Sequence, residues 1–346
     1  MKSKYLSLII IGSLFCLAAC KNESAVTPPP PNKPIDTAVD VYVSGSLEGV
    51  NQQAAYWKNG VLNQLTQSPA FANANGIAVH GNDVYVVGLA ISANIVHAVY
   101  WKNGVITTLS SLTKNSSAAA IAFQGNDMYV VGSDSSRATI WKNGVPTFLP
   151  HGYAASAIAI NGTDVYVAGY TQFANKDTAA YWKNGIITRF PEGSIANAIA
   201  TNGIDLYMGG TASNGVGMYW KNGIGTQLPN GVPFYSTING IAANSTDVFM
   251  IGTTPFNGNG LAATFWKDNA PTVLSAAGSP DATPLNNSAK SICLYGSDVY
   301  LTSQVIDKTN SVFASYYWKN GVPTRLSDGG SKGVFASGIT VVPKSQ

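Results

Sequence analysis

The sequence predicts an all-β fold: a seven-bladed β-propeller with four-stranded antiparallel blades, closed by the C-terminal strand joining the first blade. Three observations predict it. All seven tryptophans, Trp57, Trp101, Trp141, Trp182, Trp220, Trp266 and Trp318, stand in one recurring phrase of an aromatic or Ile, Trp, Lys, and Asn or Asp, usually closed by Gly. Their spacings of 44, 40, 41, 38, 46 and 52 residues are those of a repeated supersecondary unit. Residues 39–346, 308 in all, divide by seven into units of 44, the size of a propeller blade.

Each unit reads as four short strands separated by turn signals, which makes one antiparallel sheet. In the fourth unit Ala157 to Ile160 form the first strand and Asn161-Gly162-Thr163 the turn. Asp164 to Gly169 form the second strand, Ala179 to Gly185 the third with its turn, and Ile186 to Phe190 the fourth. Asn-Gly after Trp-Lys is a strong hairpin signal, because both residues accept the positive φ of a type I′ turn. The chain ends point to closure. Residues 39–45 begin at the second strand of a unit, and Gly338-Ile339-Thr340-Val341-Val342 supply the missing first strand, hiding edges that would otherwise invite aggregation.

The phrase Ala98-Val99-Tyr100-Trp101-Lys102-Asn103-Gly104, followed by Ala118 to Phe123 and by Val130-Val131-Gly132, resembles the repeats of the HAF family of extracellular proteins. The resemblance spans all seven units, roughly 39–342. It implies the repeat type and says little about activity. The Asp before Val-Tyr-Val departs from the usual pattern of that family.

The N-terminal region carries a different message. Lys2 and Lys4 precede an apolar run from Leu6 to Leu17, too short for a permanent membrane span and shaped like a secretory signal. Its end, Leu17-Ala18-Ala19-Cys20, resembles the lipobox of bacterial lipoproteins, which implies a signal peptide over 1–19 and lipidation of Cys20. Lys21 after the cysteine, in place of Asp, implies an outer-membrane address, and Lys21-Asn22-Glu23-Ser24 weakly resembles surface-export signals. Residues 20–38 form a Pro-rich linker, either an extended spacer or a loose tail. Past Cys16 and Cys20 only Cys293 remains, so no disulfide forms within the propeller. Cys293 takes the slot of Ala78, Ala122, Ala159, Ala200 and Ala242, which reads as a small buried hydrophobe.

Seven copies in one chain allow an internal comparison: a residue in every copy serves the blade, and one that appears once is free to serve a site. Asp40, Asp83, Asp127, Asp164, Asp205, Asp247 and Asp298 open the second strands, and Lys58, Lys102, Lys142, Lys183, Lys221, Lys267 and Lys319 close the third. Antiparallel pairing places these ends side by side, as cross-strand ion pairs. The tryptophans suit packing against the next blade, or a lectin's stacking platform repeated in each inter-blade cleft.

Topology puts the two short turns of each blade on one face, and the variable loops and blade-to-blade connections on the other. Glu48, Asp134, Asp177, Glu192, Asp281, Asp307 and Asp328 all map to the variable face. Around them stand Arg137, His151, Tyr153, Tyr170, Phe173, Lys176, Phe234, Tyr235, Phe256, Lys290, Lys308 and Lys332. Of these, Asp134, Arg137, His151, Tyr153, Tyr170, Asp177 and Tyr235 are the ligand-binding candidates, carboxylates, bases and aromatics suited to polar ligands or protein. Glu48 and Glu192 are the weak catalytic candidates for polysaccharide chemistry, which needs two carboxylates brought together.

No Asp-x-Asp-x-Asp calcium loop or sialidase Asp-box occurs, the histidines are dispersed, and Arg189 and Arg325 occupy equivalent strand positions. No metal or other cofactor is expected. A formal charge of +3, partly from the N-terminal region, leaves no basic stripe for nucleic acid. The expectation is a monomeric cell-envelope lipoprotein, held to the membrane by a lipid on Cys20, that binds or scaffolds a protein or glycan. The alternative is a lectin-like or polysaccharide-cleaving propeller.

Overall fold

The computed structural model describes residues 38–66, 71–110, 114–173, 176–228, 235–256, 260–274, 287–307, 312–330 and 333–344. The signal-peptide segment, Cys20 and the linker to residue 37 lie outside them. The described strands form seven four-stranded antiparallel sheets, and each innermost strand contacts the innermost strands of its two neighbours, so the sheets close into a ring. Blade four is typical: Gly152–Asn161 lies innermost, followed by Asp164–Phe173, Lys176–Lys183 and Ile186–Phe190 outermost. Blade one is assembled from both ends of the domain. Gly333–Pro343 pairs antiparallel with Val39–Glu48, from Val39 opposite Pro343 to Glu48 opposite Gly333.

The repeated Asp, Lys and Asn form one clasp per blade. In blade four Lys183 Nζ lies 2.7 Å from Asp164 Oδ2, Asn184 donates to Asp164 Oδ1 at 2.8 Å, and Asn184 Oδ1 accepts the Val165 N–H at 2.8 Å. Lys183 also lies 5.3 Å from the centre of the Tyr166 ring. Asn184 and Gly185 have φ of 49° and 83°, as the type I′ turn requires. The phrases Asp-Val-Tyr and Trp-Lys-Asn-Gly, apart in sequence, are thus two halves of one hairpin lock. Blade six departs from it: Asp268 replaces Asn, and the Lys267–Asp247 separation lengthens to 3.3 Å.

The tryptophans are core. All seven are at most 3% exposed, and each packs with the preceding blade rather than the following one. Trp182 of blade four sits with Tyr129, Val131, Ala138 and Leu149 of blade three, and Trp57 of blade one with Tyr300, Tyr317 and Leu326 of blade seven. Alternation along the third strand puts each Trp on one face of its sheet, and that face meets the preceding blade. Burial of each large ring there is the main adhesive between blades.

One backbone feature recurs around the axis. Every blade carries a β-bulge where its innermost strand meets the second strand, between Ala155 and Ala157 in blade four and between Ala289 and Ile292 in blade seven. The bulge thrusts a carbonyl at the glycine of Asp-Val-Tyr-Val-x-Gly. A Cβ on Gly169 would collide with the Ala154 carbonyl oxygen, and one on Gly132 with that of Ser117. Gly is therefore required by close approach, and Ser303 replaces it only in blade seven, where its Oγ accepts the Trp318 indole N–H at 2.7 Å.

Candidate functional site

Six of the seven ligand-binding candidates lie on blades three and four or on the connection between them, at the variable face. Tyr153, on the innermost strand beside the Gly152/Ala154 irregularity, and Tyr170, on the second strand, bring their rings to 5.4 Å at an interplanar angle of 32°. Both are half-buried. Asp177 stands on the third strand opposite Gln172, whose amide reaches its carboxylate at 3.5 Å. Burial first, then the Asp177 charge and the Tyr153 ring, raise the Tyr170 hydroxyl above the ordinary tyrosine range. Two tilted aromatic faces beside a carboxylate and an amide suit a polar ligand with an apolar body.

On blade three Asp134 and Arg137 face each other across a two-residue turn, with Ser135 and Ser136 at φ of 57° and 58°. The Asp134 carboxylate accepts the Ser135 hydroxyl at 2.8 Å, and the Arg137 guanidinium lies 3.5 Å from the centre of the Phe148 ring. His151 is exposed on the connection between blades three and four, held at φ 57°. Tyr235 stands apart, 79% exposed on the connection into blade six.

The two catalytic candidates are not brought together. Glu48 ends the second strand of blade one and lines a cavity of about 370 Å³ with Leu47, Gln53 and Leu62. Glu192 lies on the connection between blades four and five, non-adjacent to blade one, and its Oε1 accepts the Trp220 indole N–H at 2.8 Å. The remaining variable-face carboxylate with a described side chain, Asp328, accepts the Gly330 N–H at 2.9 Å. Asp281, Phe234, Lys308 and Lys332, and the side chains of Phe173 and Asp307, lie outside the described residues. Among the described residues no three His, Cys, Asp or Glu side chains cluster as metal ligands. Cys293 sits opposite Tyr300, as Ala159 sits opposite Tyr166, and burial pushes its thiol up to about 12.

Lys290 is a correction. The sequence reading placed it among variable-face loops, yet it lies in the innermost strand Ser288–Tyr295 of blade seven and lines the central channel. The channel holds a cavity of about 380 Å³ walled by three consecutive residues of every innermost strand. At the bulge position the seven blades supply Asn75, Ala119, Ser156, Asn197, Asn239, Lys290 and Ser337, and an isoleucine follows two residues later in each. Aligning the repeats at that isoleucine exposes the one lysine in a ring of neutral residues. Comparison of the strand entries rather than the loops was the signal that could have found it.

No protein-family model matches the chain, and no curated protein is significantly similar to it. Solved structures agree on the fold. A puromycin-hydrolyzing peptidase of Mycobacterium tuberculosis is similar at a TM-score of 0.52 and 10% identity, covering 83% of this chain, which spans about half (52%) of the peptidase. The β-propeller domain of the Trilobed protease from Pyrococcus furiosus is similar at a TM-score of 0.50 and 10% identity, over 86% of this chain and 97% of that one. That domain has an open velcro topology, whereas here Gly333–Pro343 closes the ring against Val39–Glu48. At such identities the likeness concerns architecture alone.

Proposed function

We propose that this protein is a lipid-anchored propeller of the bacterial cell envelope that binds a polar partner through the variable face of blades three and four. The observation that carries the reading is the Tyr153–Tyr170 pair with Asp177 on the same blade, and the Asp134–Arg137 turn on the preceding one. Among the described residues no other blade pairs aromatic rings between its own innermost and second strands on this face, although Phe313 and Phe335 meet at 4.9 Å between blades seven and one. The lipobox-like Leu17-Ala18-Ala19-Cys20 and the Pro-rich linker support display from a membrane, with the outer membrane favoured by Lys21.

The binding face is tested by placing a photocrosslinking residue at Asp177 in whole cells, with Val145 beside a short turn on the opposite face as the control. Adducts from the first site alone support the reading; equal yields from both faces sink it. The anchor has its own test, since labelled palmitate should enter the wild-type chain and be lost on Cys20→Ala.

A glycan is a second reading for the same face, favoured by the tilted tyrosine pair beside a carboxylate, a combination able to stack on a sugar and accept its hydroxyls. Sugar stacking on the seven tryptophans has no support, because their rings are buried. Cleavage by Glu48 and Glu192 has none either, with Glu192 bonded to Trp220 and the pair on separate blades.

A further inference from the structure

We propose that the central channel is a second binding site, for a small monoanion in which a carboxylate on a polar body pairs with the Lys290 ammonium. The argument begins with what the bulge residues do elsewhere. Asn75, Asn197 and Asn239 each donate their side-chain amide to a carbonyl of the following blade, Ala118 at 2.8 Å, Ile238 at 3.1 Å and Ala289 at 2.8 Å. They clamp the ring. Ala119, with only a methyl group at the same position, shows that a clamp is dispensable at an individual blade. No structural task at this position therefore asks for a positive charge.

Lys290 nonetheless puts one there. Among the described residues no hydrogen bond or ion pair engages its ammonium, and none of the other residues walling the cavity is titratable. The side chain is open to the channel yet ringed by seven strands, with the isoleucine collar on the side of the short turns. Lys290 is exposed to the channel, and the partial loss of water among the surrounding strands, with no carboxylate beside it, lowers its ammonium below the usual lysine range. A cation exposed to channel water with no protein carboxylate beside it is free to pair with an anion brought in from solution.

Size and charge narrow the ligand. A cavity of about 380 Å³ falls at the small end of ligand pockets and accommodates one sugar-sized body. A single ammonium balances a carboxylate, while a phosphate dianion would leave one charge uncompensated. Ser156, Ser337 and the three asparagines make the wall polar, which suits a polyhydroxylated body better than an aliphatic one. Lys290 lies on the variable-face side of the isoleucine collar. Tyr153 lies three residues before Ser156 on the same strand, about 10 Å nearer that face. The site does not depend on the patch proposed above, which would bind a partner whether or not the channel is filled.

The test is calorimetric titration of the intact protein with glucuronate, glucose, glucose 6-phosphate and acetate, in wild type and in Lys290→Asn. Asparagine is the residue that three other blades carry here, so this variant keeps the fold, and a thermal melt confirms it. Glucuronate is expected to saturate the wild type and to bind Lys290→Asn at least 10-fold more weakly, with glucose and the dianionic phosphate ester weaker than glucuronate on wild type. A second readout follows the site itself. Acetic anhydride should modify Lys290 readily at neutral pH, and glucuronate should slow that modification without slowing it at Lys102. Failure of both glucuronate and acetate to bind overturns the proposal, as does equal affinity for glucose and glucuronate, or an affinity unchanged in Lys290→Asn. Loss of the crosslinks at Asp177 would leave these results untouched, so the two readings fail separately.

Discussion

The Trp220 indole N–H donates to Glu192 across 2.8 Å, joining a blade-five core ring to the connection that leads into its own blade. A carboxylate that invites a catalytic reading is thereby tied to a blade. Gly193, the next residue, packs its Cα against the same indole so closely that a Cβ would strike the ring. Glu192→Ala is expected to lower stability by about 1 kcal/mol, with Glu192→Gln retaining most of it because an amide oxygen still accepts the bond. Urea denaturation of both variants checks this; equal losses would mean that the hydrogen bond is not the operative contact.

Blade six carries the one imperfect clasp, and Asp268→Asn should repair it. The substitution removes a second carboxylate beside Asp247 and supplies the amide that donates to the aspartate in the other blades, as Asn184 does to Asp164 at 2.8 Å. The pair is exposed, so the gain is small, a rise in melting temperature of about a degree or two. The reverse change, Asn184→Asp in blade four, should lower it. A melt that moves the same way for both would refute the clasp as a stabilising unit.

The clasps also set the pH range of stability. The Lys102 ammonium, then the Asn103 amide, hold the Asp83 carboxyl below the usual aspartate range, and Asp127, Asp164 and Asp205 are lowered in the same way by their own Lys and Asn. At Asp40 burial pushes upward, but the bonds from Lys58 and Asn59 together outweigh it. Groups with depressed values contribute stability above their unfolded pKa, about 3.9, and lose it as pH falls through the lower folded value. The partner lysines, led by the bond from Lys102 to Asp83, are raised, so their contribution is complete below about 10.4 and lost as pH rises through the folded value. The expected profile is a plateau between about pH 4 and 10, falling on both sides, with both shoulders weakened by salt. A stability maximum confined to neutral pH in a denaturant series would contradict it.

Gly169→Ala should cost about 2 kcal/mol, because the new methyl group meets the Ala154 carbonyl oxygen that the bulge pushes toward it. Gly162→Ala, in the exposed turn where a Cβ has open space but φ is 59°, should cost less, about 1 kcal/mol. Chemical denaturation of the two variants separates close approach from backbone strain. A larger loss at Gly162 would remove the bulge as the reason for the repeated glycine.

Most of the architecture was legible because its determinants repeat. Six Trp-Lys-Asn-Gly phrases and the variant Trp266-Lys267-Asp268-Asn269 counted the blades, and Gly338-Ile339-Thr340-Val341-Val342 announced the closing strand that pairs with Val39–Glu48. The cross-strand partnership of Asp and Lys followed from antiparallel register alone. The direction in which the tryptophans lean was not legible, because it depends on how twisted sheets pack around an axis. Sequence reading aimed them at the next blade, and they fill the wedge with the previous one.

The candidate site was half legible for a related reason. Tyr153, Tyr170 and Asp177 were marked by occurring once, and their mapping to one face followed from strand order. That the two rings lie 5.4 Å apart, while Glu48 and Glu192 sit on non-adjacent blades, is a property of ring geometry. Lys290 was misplaced because a strand entry and the loop before it look alike in one dimension, and only the bulge shows which residue lines the axis.

By itself the sequence determined the blade count, the hairpin chemistry and the closing strand, all of which rest on local propensity and on periodicity along the chain. Only the tertiary structure decided which way each indole is buried, why each glycine is needed and which residue stands at the channel, because these depend on sheets far apart in sequence approaching within a few ångströms.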